Sequence, residues 1–174
     1  MAEIIKSTLT FVLSNFSLTF FVISVAASLI SIARLPRPFP PGAVVEKLLF
    51  WHLLVALGAT YLYGAVCHLF FGAMIASFIG WPDSPFQFEV GIANLAFAVM
   101  AIIAAFASLT ARSITIVGSA VFLLGAASGH IYQMVTAHNF APGNAGVIFY
   151  TDILLPLYGL ILLWLKAREP RHPT

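Results

Sequence analysis

The chain has 174 residues, 61% of them hydrophobic and only 8% charged, with a net charge of +2. Soluble domains carry roughly 25% charged residues, so this chain could not cover its own surface in water. The low charge, with no basic run interleaved with aromatics, excludes a nucleic-acid-binding surface. The single cysteine, Cys67, excludes an internal disulfide and argues against thiolate-based metal or iron–sulfur sites.

The first apolar run covers about 9–33. Its head, MAEIIKS, holds Glu3 and Lys6 and lacks the positive character of a signal peptide. The run is also longer than a cleavable apolar core of about 7–15 residues, so it reads as a retained helix. The connector RLPRPFPPG follows, with Pro36, Pro38, Pro40 and Pro41 denying the backbone its helical donors. The second run, about 44–79, is roughly 50 Å long as one helix and exceeds a bilayer core of about 30 Å. It must tilt, protrude or bend, and Gly58, Gly64 and Gly72 are the expected bending points.

The sequence GWPDSP breaks this run, and a third spans about 86–109. Thr110-Ala111-Arg112 reads as a short turn, followed by a fourth run over about 113–137, the loop HNFAPGNAG, and a fifth run over about 147–165. Backbone polar groups in lipid must be satisfied within a helix or a closed barrel, and these runs show no strand alternation. The expected fold is therefore all-α: a single domain over 1–174, built as a bundle of five transmembrane helices. No phosphate loop, dinucleotide fingerprint or nucleophile–base motif is present.

Seven of the eight Lys and Arg residues fall in the first connector, the third connector and the tail, and only Lys6 falls on the other side. The positive-inside rule places the N-terminus outside and the C-terminus in the cytoplasm, in the inner membrane of a prokaryote. Trp81 and Trp164 fall at opposite ends, where aromatic belts are expected.

Counting inward at about 1.5 Å per residue puts His68 about 16 Å below the outer helix ends, Glu89 about 5 Å, His130 about 12 Å and Asp152 about 8 Å. Four helices thus each carry one ionisable group into the outer half. A charge at the bilayer centre costs about 2.5–3.5 kcal/mol even on the lenient insertion scale, so such groups face the bundle interior and pair. Two imidazoles and two carboxylates suit a divalent metal such as zinc, copper, iron or manganese. Gln133, Asn94 and Tyr132 are placed as supporting groups around it. The same residues suit a structural hydrogen-bonded network or a proton or ion pathway. Haem, quinone and lipid binding are further options. The non-catalytic alternative is a homo-oligomer or a subunit of a larger membrane complex, and no residue assigns a reaction.

The remaining polar positions have blander readings. His52, beside Trp51, reads as interfacial. His138 reads as a solvated or capping residue and His172 as solvated. Asp83 reads as a helix cap, with Ser84 as the alternative ahead of Pro85. Gly125 and Gly129 form a small-residue pair that would let another helix approach.

The strings WPDSPFQFEVGIANLAF, GHIYQMVTAHNFAPGNAG and YTDILLP resemble a family of uncharacterised small multi-helix membrane proteins of bacteria and archaea. The resemblance covers most of the chain from the second run onward. It implies a multi-helix fold and carries no activity with it.

Overall fold

The computed structural model describes Met1, Glu3, Ile4 and residues 11–169. Its five long helices are each long and apolar enough to cross a membrane. We number the elements α1 (Phe16–Ala33), α2 (Ala43–Phe70), α3 (Gly72–Ile79), α4 (Phe86–Ala105), α5 (Leu109–Ala137), α6 (Pro142–Ala145) and α7 (Val147–Ala167). Residues 11–14 are also helical, with a turn at Asn15 before α1.

The second apolar run is two helices and not one. It breaks at Phe71, whose φ of −131° and ψ of 30° lie outside the helical range. Only one of the three expected bending glycines, Gly72, stands at this break. Gly58 lies in a different irregularity, the π-helical stretch His52–Ala59 within α2. Gly64 does not bend the chain. It brings α2 close to α4, since a Cβ there would stand 3.2 Å from Asn94 Oδ1. Gly91 does the same from α4, where a Cβ would meet Leu69 Cγ at 2.7 Å.

The turn between α4 and α5 also sits earlier than the sequence suggests. It occupies Phe106–Ser108, and Thr110-Ala111-Arg112 lies within the first turn of α5. Ser108 caps α5 by accepting from Ala111 N at 3.4 Å. Arg112 reaches back to the end of α4, donating to Ala104 O at 3.2 Å and Ala105 O at 2.9 Å. These are orphan carbonyls at a helix C-terminus, where a cation is favoured.

The same guanidinium pairs with Glu46 Oε1 at 2.5 Å, and Lys166 bonds Glu169 Oε2 at 2.6 Å with Glu46 Oε2 3.8 Å away. The ends of α1, α4 and α7 therefore meet the starts of α2 and α5 at one basic end of the bundle. The other ends, with Asp83 and Glu89, form an acidic end.

The fully buried core lies toward the basic end. Leu49, Leu53 and Leu57 of α2 pack with Ile116 of α5, Leu155 and Leu162 of α7, and the alanines 98, 101, 104 and 105 of α4. Those small side chains let the helices approach closely, which supplies dispersion contacts between them. Toward the acidic end the packing opens. Among the described residues nothing lies within 4 Å of where a Cβ on Gly125 of α5 would stand, and Gly129 meets the loop residue Trp81 at 3.7 Å, so no described helix docks on the expected small-residue pair.

Candidate functional site

The opening is a cavity of about 580 Å³ bounded by α1, α2, α4, α5, α7 and the loop after α3. Its walls are mostly apolar, from residues such as Phe16, Val90, Val121 and Phe122. Its polar positions include Thr60, His68, Gln87, Asn94, His130 and Asp152. A second cavity of about 380 Å³, reaching Cys67 and Tyr63, shares Phe16, Gly64, His68, Ile79 and Ile148 with the first.

The polar end is built around a loop residue. Gly80 ends α3 in the left-handed conformation, φ 75°, and turns the chain so that Trp81 faces the bundle. The backbone of α6 lies against the end of α3, where a Cβ on Gly143 would stand 2.8 Å from Phe78 O. That approach buries Asn144 completely. Its amide nitrogen donates to His130 O at 3.2 Å and Asn139 O at 2.9 Å. The amide oxygen accepts from Trp81 Nε1 at 2.9 Å and faces His130 Nδ1 at the same distance.

This arrangement fixes the state of His130. With both amide hydrogens committed to carbonyls, Asn144 offers only an acceptor, so Nδ1 of His130 carries a hydrogen. The neutral ring then presents a lone pair on Nε2. That atom lies 3.6 Å from Asp152 Oδ2, which is too long for a hydrogen bond but close enough for an ion pair if the ring is charged. Both residues are buried. Pro156, one turn further along α7, cannot donate to the carbonyl of Asp152 as an ordinary residue would. The site therefore presents several acceptors, and among the described residues no Lys or Arg lines the cavity.

Of the four residues expected to converge, His130 and Asp152 do so. His68 lines the same cavity, but its Nδ1 is 2.6 Å from Gln87 Oε1 and it joins neither of them. Glu89 is exposed and lies outside the lining. Helical geometry explains this: Asn94, five residues on and about 140° around the helix, is the buried one, so Glu89 must face away. Among the described residues no group of three or more His, Cys, Asp or Glu side chains could hold a metal ion. The four-residue metal set is thus not assembled.

Of the supporting residues, Asn94 lines the cavity and donates to Val90 O at 2.9 Å. Tyr132 is exposed, and Gln133 is half-buried near the helix end, outside the lining. His52 is fully buried within the bundle. His138 ends α5 with φ 51°, a capping position, and His172 lies outside the described residues. Neither Asp83 nor Ser84 caps α4 through its side chain.

Sequence reasoning missed Gln87, Trp81 and Asn144. Gln87 had a signal, since it stands seven residues before Asn94 and so on the same helix face. Asn144 had none, because a loop asparagine becomes a site residue only when the loop folds inward.

Long apolar helices enclosing a cavity with a polar end define a helical bundle of membrane-spanning proportions. The chain belongs to the family of unknown function DUF6790, which it matches over residues 14–172. The match extends the resemblance, seen from the second apolar run onward, through all of α1 as well. No curated protein and no solved structure matches the chain.

Proposed function

We propose that the chain is an integral membrane protein that binds a small amphiphile, with the ligand's head group between His130 and Asp152 and its apolar part in the 580 Å³ cavity. The observation that carries this reading is His130 Nε2 and Asp152 Oδ2 standing 3.6 Å apart at the polar end of an apolar cavity. His130 Nε2 and Asp152 Oδ2 are too far apart to satisfy each other directly, and a donor placed beside them would satisfy both. An amine, hydroxyl or phenol supplies that donor. Cavities of roughly 300–1,000 Å³ with apolar walls and a few convergent polar groups are the usual form of small-molecule sites.

The distribution of basic residues supports an orientation with the basic end in the cytoplasm and the cavity in the outer half of a prokaryotic inner membrane. A ligand would then reach the site from the outer leaflet, passing Val121, which is 72% exposed, and the bare backbone at Gly125. A divalent metal held by His68, Glu89, His130 and Asp152 is disfavoured, because Glu89 faces away and His68 bonds Gln87. The geometry gives no support for a larger assembly over a free bundle.

The test is photoaffinity labelling in lipid nanodiscs. The probes are a diazirine-bearing single-chain alkylamine, the matching alkanol and the matching alkane. The amine or alkanol should label residues lining the cavity, and the labelling should fall at least tenfold in Asp152→Asn. Labelling spread evenly over the lipid-facing surface, and equal in wild type and variant, would refute the reading.

A further inference from the structure

We propose that His52 carries protons through the half of the bundle that lies between the cavity and the ion-pair cluster at the basic end. The imidazole is 0% exposed, and neither of its nitrogens has a hydrogen-bond partner among the described residues. Each buried polar atom left without a partner costs about 1–3 kcal/mol, and native interiors rarely tolerate one. Two on one ring call for a reason. A packing role gives none, since phenylalanine would fill the same space without that cost.

The fold makes specific room for this ring. His52 opens the π-helical stretch of α2, a widened form often found at functional positions. Gly159 of α7 lies against it, and a Cβ there would stand 2.8 Å from Nε2. Gly159 is seven residues from Asp152 and seven from Lys166, about 10 Å in each direction. The ring thus lies midway between the two polar clusters.

On the cavity side, two more buried atoms lack partners among the described residues, Thr60 Oγ1 and Ser119 Oγ. Thr60 lines the cavity, and so does Tyr61, whose hydroxyl is 3.5 Å from Ser119 O. These protic groups lead from the cavity toward His52 along α2 and α5.

Imidazole suits the task because it can gain a proton on one nitrogen and lose the other from the opposite nitrogen. In one cycle a hydronium on the cavity side protonates the free nitrogen and becomes water. The imidazolium then gives the proton on its other nitrogen to a water toward the basic end, which leaves the ring in the opposite tautomer, and a reorientation of the ring restores the starting one before the next proton passes. One proton moves and water is the only co-reactant. Tyr158, with its ring 5.2 Å away, is the titratable group packed on His52. Helix α1 has no titratable residue, and the only one on α4 is Glu89 at the far end. Asp152 and His130 lie on the cavity side, and Arg112, Lys166 and Glu46 on the other. Leu49, Leu53 and Leu162 fill the space toward the basic end, so transfer waits on their movement and the flux is slow and gated.

The test is proton flux into liposomes holding the full chain and a trapped pH-sensitive dye, driven by a valinomycin-set potassium potential. Wild-type protein should acidify the lumen faster than protein-free vesicles, and Glu89→Gln should match it. His52→Phe, which keeps the ring volume, should stay folded and lower the flux at least tenfold. Ser119→Ala removes an unpartnered hydroxyl and should lower it severalfold, which provides a second reading if His52→Phe fails to fold. Wild-type flux equal to that of empty vesicles, or equal flux in wild type and either folded variant, would overturn the proposal. Neither result bears on ligand labelling at His130 and Asp152, so the two readings stand or fall separately.

Discussion

Polar side chains meet at both ends of this bundle, with opposite results. At the basic end, Arg112 satisfies two terminal carbonyls and Glu46, while Lys166 joins Glu46 to Glu169. The cluster closes four helices, α2, α4, α5 and α7, against one another, and of its buried side-chain atoms Glu169 Oε1 alone lacks a partner among the described residues. At the acidic end, Asn144 is equally saturated, but it holds His130 so that one nitrogen remains free beside Asp152 over open space. Saturation marks a structural joint. A fixed group with spare capacity facing a cavity marks a place prepared for something else.

The sharpest way to break this comparison is to remove the joint. Arg112→Ala strands two helix-terminus carbonyls and leaves Glu46 without its closest partner. Losing one partner of a buried ion pair costs about 3–5 kcal/mol, and exposure of Glu46 brings the expectation to the low end of that range. A large fall in the thermal unfolding midpoint, read by circular dichroism in detergent, should accompany unchanged ligand labelling per folded molecule. A midpoint unmoved by Arg112→Ala would show that the basic end is not a joint.

Asn144→Leu should come next. It strands Trp81 Nε1 and His130 Nδ1, each an unsatisfied buried group costing about 1–3 kcal/mol. It also releases the tautomer of His130, so labelling should fall together with stability, unlike the result at Arg112. Tryptophan emission should shift as the indole loses its partner, and an unchanged spectrum would count against the Asn144 contact.

What the sequence revealed follows the same divide. Five apolar helices were legible because an apolar run of bilayer-spanning length marks such a helix directly in the sequence. Helix ends were less so: Phe71 breaks a run with neither proline nor glycine at that position, and the turn at Phe106–Ser108 depends on Arg112 folding back from the next helix. Depth counting put His130 and Asp152 within about 4 Å of each other along the bundle, since rise per residue is nearly constant, and the fold brings the two side chains to 3.6 Å. It could not supply the face of each helix with equal reliability. Asn94 lies about 7.5 Å further along α4 than Glu89 and about 140° around it, and the buried cost argument selected the charged one when the fold buries the amide.

Filling the open space sharpens the contrast from the other side. Gly125→Leu places a side chain where nothing lies within 4 Å and replaces a poor helix former with a good one. The helix propensity difference is roughly 1 kcal/mol in favour of the variant. Stability should hold or rise by about that amount while amine labelling in the cavity is lost. Loss of both together would show that the cavity wall, and not the space, carries the function.

Glu89→Gln should do least. An exposed surface substitution away from caps and networks falls within about 0.5 kcal/mol of neutral. Because Glu89 faces away from the cavity, labelling and unfolding midpoint should both match wild type. Elemental analysis of the two proteins, purified without a histidine tag after incubation with zinc, separates the readings directly. If wild type held one equivalent of metal and Glu89→Gln lost it, α4 would have to rotate far enough to bring that carboxylate inward. The Asn94 face, and with it the cavity as described, would then be displaced. Equal metal content, at zero or otherwise, leaves Glu89 outside the site and leaves the unfilled space to His130 and Asp152.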